Sequence, residues 1–202
     1  MCVTKTEPRN DAANEVGGGG AMRILALDLG TKTGWALSGC HVSAIFAGTW
    51  VLESPAGMRY AKKLRMDRRL DPRIMAIVNN LREIHRKTPL EYIVFEDLRF
   101  ASSQAQAHLW ASFRGAVWAF AHLNGIQVDC LDTGKLKKYS TGSGSADKRC
   151  MAAALGQRFP ALFKDFSCEK KSLVKHLGTG TLLDDNAVDA IHLLNWAQSV
   201  LK

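Results

Sequence analysis

The chain has 202 residues, a formal charge of +8 and five cysteines (Cys2, Cys40, Cys130, Cys150, Cys168) without CxxC spacing. Such a length suits one domain with its own core, and the odd, unpatterned cysteines indicate neither a disulfide framework nor a structural zinc site and read as reduced thiols in a cytoplasmic protein. No apolar run reaches 18 residues and no charged-then-apolar leader is present, so no membrane span is expected, while the basic balance points to a polyanion such as nucleic acid or else to a solvated basic surface.

Residues 1–21 are polar and end in four glycines, Gly17 to Gly20. They bury too little apolar surface to order themselves, so a disordered leader is expected ahead of one domain over residues 22–202. Arg23-Ile-Leu-Ala-Leu-Asp28-Leu-Gly-Thr31 follows, apolar on both faces like a strand buried in a sheet, yet with an acid inside it. An ionised carboxylate there costs on the order of several kcal/mol unless it is paired, metal-bound or protonated. The plainer alternative is an Asp that caps a turn. Gly30 and Gly34 permit a tight turn, Trp35-Ala-Leu37 begins a return strand, and residues 44–51 are aromatic and β-branched. Three consecutive antiparallel strands over residues 23–52 are the simplest reading.

Residues 57–73 hold seven basic side chains (Arg59, Lys62, Lys63, Arg65, Arg68, Arg69, Arg73) against two acidic ones. That density suits phosphate contacts, although a solvated helix face reads the same way. Beyond Pro72, the spacing of Ile74, Ile77, Val78, Leu81 and Ile84 predicts a helix to about residue 87. Glu91-Tyr-Ile-Val-Phe-Glu96-Asp97 repeats the first pattern, an apolar strand ending in a carboxylate. A buried helix over residues 105–123 and a strand over 125–131 then suggest parallel strands joined by crossover helices.

Residues 135–149 read as a short basic helix, a Gly/Ser loop and a second helix with Ser145 as N-cap. Loop amides and a helix start favour an anion, whereas a plain flexible loop is the bland alternative. The GxxxxGK[ST] spacing is absent, so no nucleotide triphosphate is expected. Residues 160–183 carry no readable role. In the last helix Asp185 and Asp189 share a face. Capping accounts for Asp184 or Asp185 but not for Asp189, flanked by Val188, Ala190 and Ile191 in the second turn. If the fold gathers these acids, they can hold two hard divalent cations about 4 Å apart.

Four stretches now stand together: Leu27-Asp28-Leu-Gly-Thr31, Phe95-Glu96-Asp97, Asp185-Asn186-Ala-Val-Asp189-Ala190, and Lys137-Lys138-Tyr-Ser-Thr-Gly142-Ser-Gly144-Ser-Ala146-Asp-Lys148. They resemble the RuvC-type Holliday-junction resolvases of the ribonuclease H-like superfamily, especially phage and prophage forms. The resemblance implies an α/β fold with a mixed five-stranded sheet, three antiparallel strands and then parallel ones, flanked by helices. It also implies a homodimer in a bacterial or phage-infected cell, which nicks four-way DNA junctions with Mg2+ or Mn2+, two ions per site.

Residue by residue, Asp28, Glu96 and Asp189 fall on the family's metal carboxylates. Lys137 and Lys148 fall on its two lysines, Lys148 beside the reacting phosphate. Where the family has a further acid or His, this chain has Asn186, with Asp185 one residue earlier; either would serve, Asp185 having the charge. Arg99-Phe100 lies where the family often carries an aromatic wedge, though Phe100 reads equally as a packing residue. DNA contacts are expected from Lys62, Lys63, Arg65, Arg68, Arg69, Arg99, Phe100, Lys137, Lys138, Lys148 and Arg149. Asp28-Leu-Gly-Thr31 also resembles the phosphate loop of actin-like ATPases and sugar kinases, but those duplicate the core and this chain has room for one copy. A junction-binding protein that does not cleave is the other rival.

Overall fold

The computed structural model describes residues 22–38, 45–52, 71–97, 103–160, 175–176 and 182–201. Strands β1 (Ile24–Asp28), β2 (Lys32–Ser38) and β3 (Ile45–Val51) form an antiparallel meander. Helix α1 (Pro72–Lys87) leads to β4 (Tyr92–Asp97), which lies parallel to β1, and α2 (Gln104–Leu123) leads to β5 (Gln127–Asp132), parallel to β4. Then follow α3 (Thr133–Thr141), α4 (Lys148–Arg158), a small ribbon of β6 (Lys175–His176) and β7 (Leu182–Leu183), and α5 (Asp185–Val200). The order β3-β2-β1-β4-β5 is the mixed five-stranded sheet expected from the sequence.

Two cores result from the period-two alternation of the strands. Ile24, Ala26, Tyr92 and Val94 face α3, α4 and α5, packing with Leu136, Leu155, Ile191 and Leu194. Leu25, Leu27, Ile93 and Phe95 face α1 and α2, packing with Ile77, Leu81, Phe113 and Val117. The same alternation lays Asp28 and Glu96 on the first face, under the last three helices.

Two details differ from the sequence-based expectation. Helix α2 is buried along one stripe only, since Phe113, Val117, Phe120 and Ala121 meet the core while Trp118 is 50% and Leu123 82% exposed. A helix in an outer layer has only one face to bury. The cap of α4 is Asp147 rather than Ser145; its carboxylate accepts a hydrogen bond from the Cys150 amide at 2.8 Å. Ser145 stands two residues too early to reach that amide, and its hydroxyl lies 3.2 Å from that of Ser143. Among the described residues, no helix is long and apolar enough to cross a membrane.

One glycine decides how closely α5 can sit on the sheet. Gly34 pairs with Asp28 across β1 and β2, and a Cβ at this position would collide with the Asn186 carbonyl at the start of α5. Gly34→Ala is therefore expected to cost at least about 2 kcal/mol, because backbone rather than a flexible side chain must move. Urea unfolding measures this, and an unchanged midpoint would rule out the close approach.

Candidate active site

Asp28 ends β1, and Glu96 is the penultimate residue of β4. The parallel pairing Leu27↔Phe95 sets the next residues of both strands side by side. Glu96 is buried, only 6% exposed. Helix α5 brings further acids over this edge. Asp184 is its N-cap, accepting from the Ala187 amide at 3.1 Å, the Asn186 side-chain amide at 3.1 Å and the Thr49 hydroxyl. These bonds outweigh the opposing effect of its partial burial and hold its pKa below the usual carboxylate value. Asp184 thus anchors the helix start to β3, and Asp185 and Asp189 are left on one face of the first two turns.

The acids feel one another strongly. Burial first, and then the charges of Glu96, Asp189 and Asp184, raise the Asp28 carboxyl well above the ordinary range, against the pull of Lys148. Asp189 is raised to about 7 by burial and then by Glu96, with Asp185 adding to the rise and Lys148 and Lys137 opposing it. Glu96 is raised by burial, offset in part by a hydrogen bond with Thr133 and by Lys137. Lys148 Nζ donates to Asp185 Oδ2 at 2.7 Å, and this bond, with the charges of Asp189 and Asp28, raises its own pKa. Asp28, Glu96, Asp185, Asp189, Lys137 and Lys148 therefore form one electrostatic cluster.

Thr133 was not singled out by its sequence. It opens α3 directly after Asp132, whose carboxylate caps the helix by accepting from Gly134 N at 3.0 Å and Lys135 N at 3.2 Å. An Asp-Thr-Gly at a strand end signals that cap, and only the pairing of β4 with β5 carries the hydroxyl to Glu96. The loop after α3 closes through Gly142, in the left-handed region at φ 83°, which leads the chain back to Lys148.

Other expected site residues lie at the margin or beyond. Lys138 and Arg149 are exposed, one position along from Lys137 and Lys148. Arg73 is not available to phosphate, because Asp71 binds it through its Nε at 2.9 Å and Nη2 at 2.6 Å while capping α1. Lys62, Lys63, Arg65, Arg68, Arg69, Arg99 and Phe100 lie outside the described residues. Of the two candidates for a fourth acid position, Asp185 meets Lys148 within the cluster, while the Asn186 amide bonds the cap.

Among the described residues, no three His, Cys, Asp and Glu side chains are drawn close enough to grip an ion as they stand. The donor set nonetheless fits hard divalent cations: every acidic group is an oxygen ligand, and their mutual repulsion is what added positive charge relieves.

This repulsion has a pH signature. Above the ordinary carboxylate pKa the unfolded chain has lost a proton that folded Asp189 keeps up to about pH 7, so stability without metal is expected to fall as pH rises from about 4 to about 7, the raised Asp28 and Glu96 carboxyls adding to the fall. Asp189→Asn should flatten this fall, and millimolar Mg2+ should raise the melting temperature chiefly at the upper end. Thermal melts across that window, with and without chelator, measure both; a stability that rises over the interval would contradict the raised pKa.

By sequence, no family model and no curated protein matches this chain. By structure it is similar to Thermus thermophilus RuvC in complex with a Holliday junction substrate, with a TM-score of 0.59 and 16% identity over 89% of this chain and 96% of that one. A second Thermus thermophilus RuvC structure gives a TM-score of 0.58 and 18% identity over 89% and 96%. The yeast mitochondrial Holliday junction resolvase Ydc2 gives 0.55 and 10% identity over 89% and 79%. With sheet order, flanking helices and chain coverage all in agreement, the fold of this chain is that of the RuvC-type resolvases.

Proposed function

We propose that the protein is a metal-dependent, structure-selective endonuclease that nicks branched DNA, four-way junctions above all, in the cytoplasm of a bacterial or phage-infected cell. The observation that carries this reading is the meeting of Asp28, Glu96, Asp185 and Asp189 with Lys137 and Lys148 at one sheet edge, on a RuvC-type fold.

Asp28, Glu96, Asp189 and Asp185 would hold Mg2+ or Mn2+, two per site, with the Asn186 carbonyl as the alternative fourth donor. When bound, such ions supply polarisation of the phosphodiester and a lowered pKa for the attacking water. The remaining work falls to the chain itself. Glu96, held by Thr133 under the sheet edge, fixes one side of the carboxylate cradle. Lys148, whose present partner is Asp185, would turn to the phosphate and balance the charge that grows there, as preorganised cations do. Lys137 would seat the neighbouring phosphate, with Lys138 and Arg149 along the strand. Lys62, Lys63, Arg65, Arg68 and Arg69 would hold a duplex arm, and Arg99 and Phe100 would meet the branch. In-line attack would leave a 5′-phosphate and a 3′-hydroxyl. A homodimer with isologous symmetry suits two opposed nicks in a twofold substrate.

Cleavage of a labelled synthetic four-way junction tests the proposal, with Mg2+, with Mn2+ and with chelator, alongside flaps and forks. Paired metal-dependent nicks are expected from the wild type. Glu96→Gln should lower the rate at least about a hundredfold while junction binding persists, since even residues behind a metal ligand cost up to that much. Tight binding without cleavage under all of these conditions would instead favour a branched-DNA-binding protein. The logarithm of binding affinity should fall with that of salt at a slope of about −4 or steeper, and Lys138→Ala and Arg149→Ala should each reduce it by about one. A flat response would remove these side chains from the interface.

A further inference from the structure

One buried polar contact near the acid cluster has no part in the chemistry proposed above. His192 follows Asp185 and Asp189 on the same stripe of α5, seven residues after the first and three after the second. It is 0% exposed, and its Nε2 lies 2.8 Å from the Met151 carbonyl of α4. A carbonyl oxygen only accepts, so Nε2 carries the proton and Nδ1 is the bare nitrogen. Nδ1 is buried as well and has no hydrogen-bond partner among the described residues. Half of the ring's polarity is thus unpaired beside a core of Leu136, Leu155, Ile191 and Leu194, which disfavours it against an apolar side chain of similar size. The imidazole supplies direction instead. Apolar side chains can slide past one another, whereas a bond to one backbone carbonyl fixes a register.

Helix α4 is where a register matters. It rests on α3 and α5, and its joint to α3 runs through Gly142, at φ 83°, and Gly144, whose wide range of backbone angles leaves the placement of α4 to its packing. Lys148 is its first residue, and Met151 stands one turn on. Asp189 likewise stands one turn before His192 on α5. Two bonds therefore join the two helices: Lys148 Nζ to Asp185 Oδ2 at 2.7 Å, in an exposed position, and His192 Nε2 to the Met151 carbonyl at 2.8 Å, in a buried one. An exposed ion pair contributes little and exchanges readily with water. The buried bond is the one able to hold α4 in place.

We propose that His192 is a positioning residue for Lys148: by donating from Nε2 to the Met151 carbonyl it fixes α4 along α5 and so keeps the Lys148 ammonium at the acid cluster. The inference rests on the nuclease reading for what Lys148 then does, and it names the residue that keeps that cation ready. A shift of α4 by about 1 Å would leave the fold intact and still move the charge away from the reacting phosphate, where small misplacements are costly.

The test compares the full-length wild type with His192→Gln, His192→Asn and His192→Leu. Gln reaches as far as Nε2 and can donate to the same carbonyl, Asn reaches only as far as Nδ1, and Leu cannot donate. The Met151 carbonyl keeps its partner within α4 in every case, so all three should fold, which circular dichroism and thermal melting check. Without metal or DNA, each protein is treated with acetic anhydride, and labelling of Lys148 is read by mass spectrometry against exposed Lys135 and Lys138. Asn and Leu should speed labelling of Lys148 about two- to fivefold, as expected for a lost surface ion pair, with the other two lysines unchanged and Gln like the wild type. On a four-way junction in Mg2+, single-turnover cleavage should fall roughly ten- to a hundredfold in Asn and Leu but be retained in Gln. Beside Lys148→Met, His192→Leu should cost no more than about a further twofold, because its effect passes through the lysine. Equal labelling of Lys148 in all four proteins, or a His192→Leu loss undiminished beside Lys148→Met, would overturn the inference while leaving the nuclease reading in place. Faster labelling of all three lysines, or loss of folding in both Asn and Leu, would mark the ring as a general stability element and overturn it too. If the wild type cuts no branched DNA the nuclease reading falls, and the labelling comparison still decides whether His192 places Lys148.

Discussion

The structure depends on a conflict of charge. Asp28, Glu96 and Asp189 are brought together at a buried sheet edge, where burial and mutual repulsion both disfavour ionisation. Carboxylates so placed work against stability, and groups with such perturbed pKa values concentrate at functional sites. The surrounding elements read as responses to it. Parallel β1 and β4 supply two of the acids from adjacent strands, α5 supplies the others from its first turns, and α3 and α4 bring Lys137 and Lys148 to oppose them.

Helix α5 is the element through which this arrangement is held. Its start is fixed against β2 by the absence of a side chain at Gly34 and against β3 by the bond from Thr49 to Asp184. Further along, His192 Nε2 lies 2.8 Å from the Met151 carbonyl and ties α5 to α4; burial lowers the pKa of this imidazole, which favours its neutral form. Tyr139 of α3 and Asn195 of α5 share a hydrogen bond of 2.9 Å, and the Arg158 guanidinium of α4 sits 4.9 Å over the Tyr139 ring. The lysines are thereby registered against the acids by contacts further along the same three helices.

The two acids at the end of β4 show how one step along a strand changes a residue's role. Glu96 points under α3, α4 and α5 and bonds Thr133. Asp97 points to the other face, where Arg114 meets it at 3.1 Å and packs 5.9 Å from the rings of Phe95, Trp110 and Trp118. One carboxylate joins the cluster, and the other holds Arg114 among these rings. The pleat alone separates them.

Much of this was legible in the residues. Apolar runs interrupted by Asp28 and Glu96 marked the strands and their acids, the helix period placed Asp185 and Asp189 on one face, and the Lys137 to Lys148 block marked the loop between two helices. These are local signals, because alternation and periodicity are properties of neighbouring residues. Other features depended on partners far apart in sequence. Asp184 rather than Asp185 is the cap, and its carboxylate is also held by Thr49, 135 residues away. The Asp147 cap in place of Ser145 and the half-exposed α2 needed exact helix starts and the layering of the sheet, and Thr133 reached Glu96 only through the pairing of β4 with β5. The sequence by itself determined which residues carry charge, where the strands and helices run and which faces they bury, since side-chain chemistry and spacing dictate these. Tertiary structure alone decided which acids share one repulsive site, which basic residues are already paired and which carbonyl the buried His192 meets, because each depends on distances that no local pattern encodes.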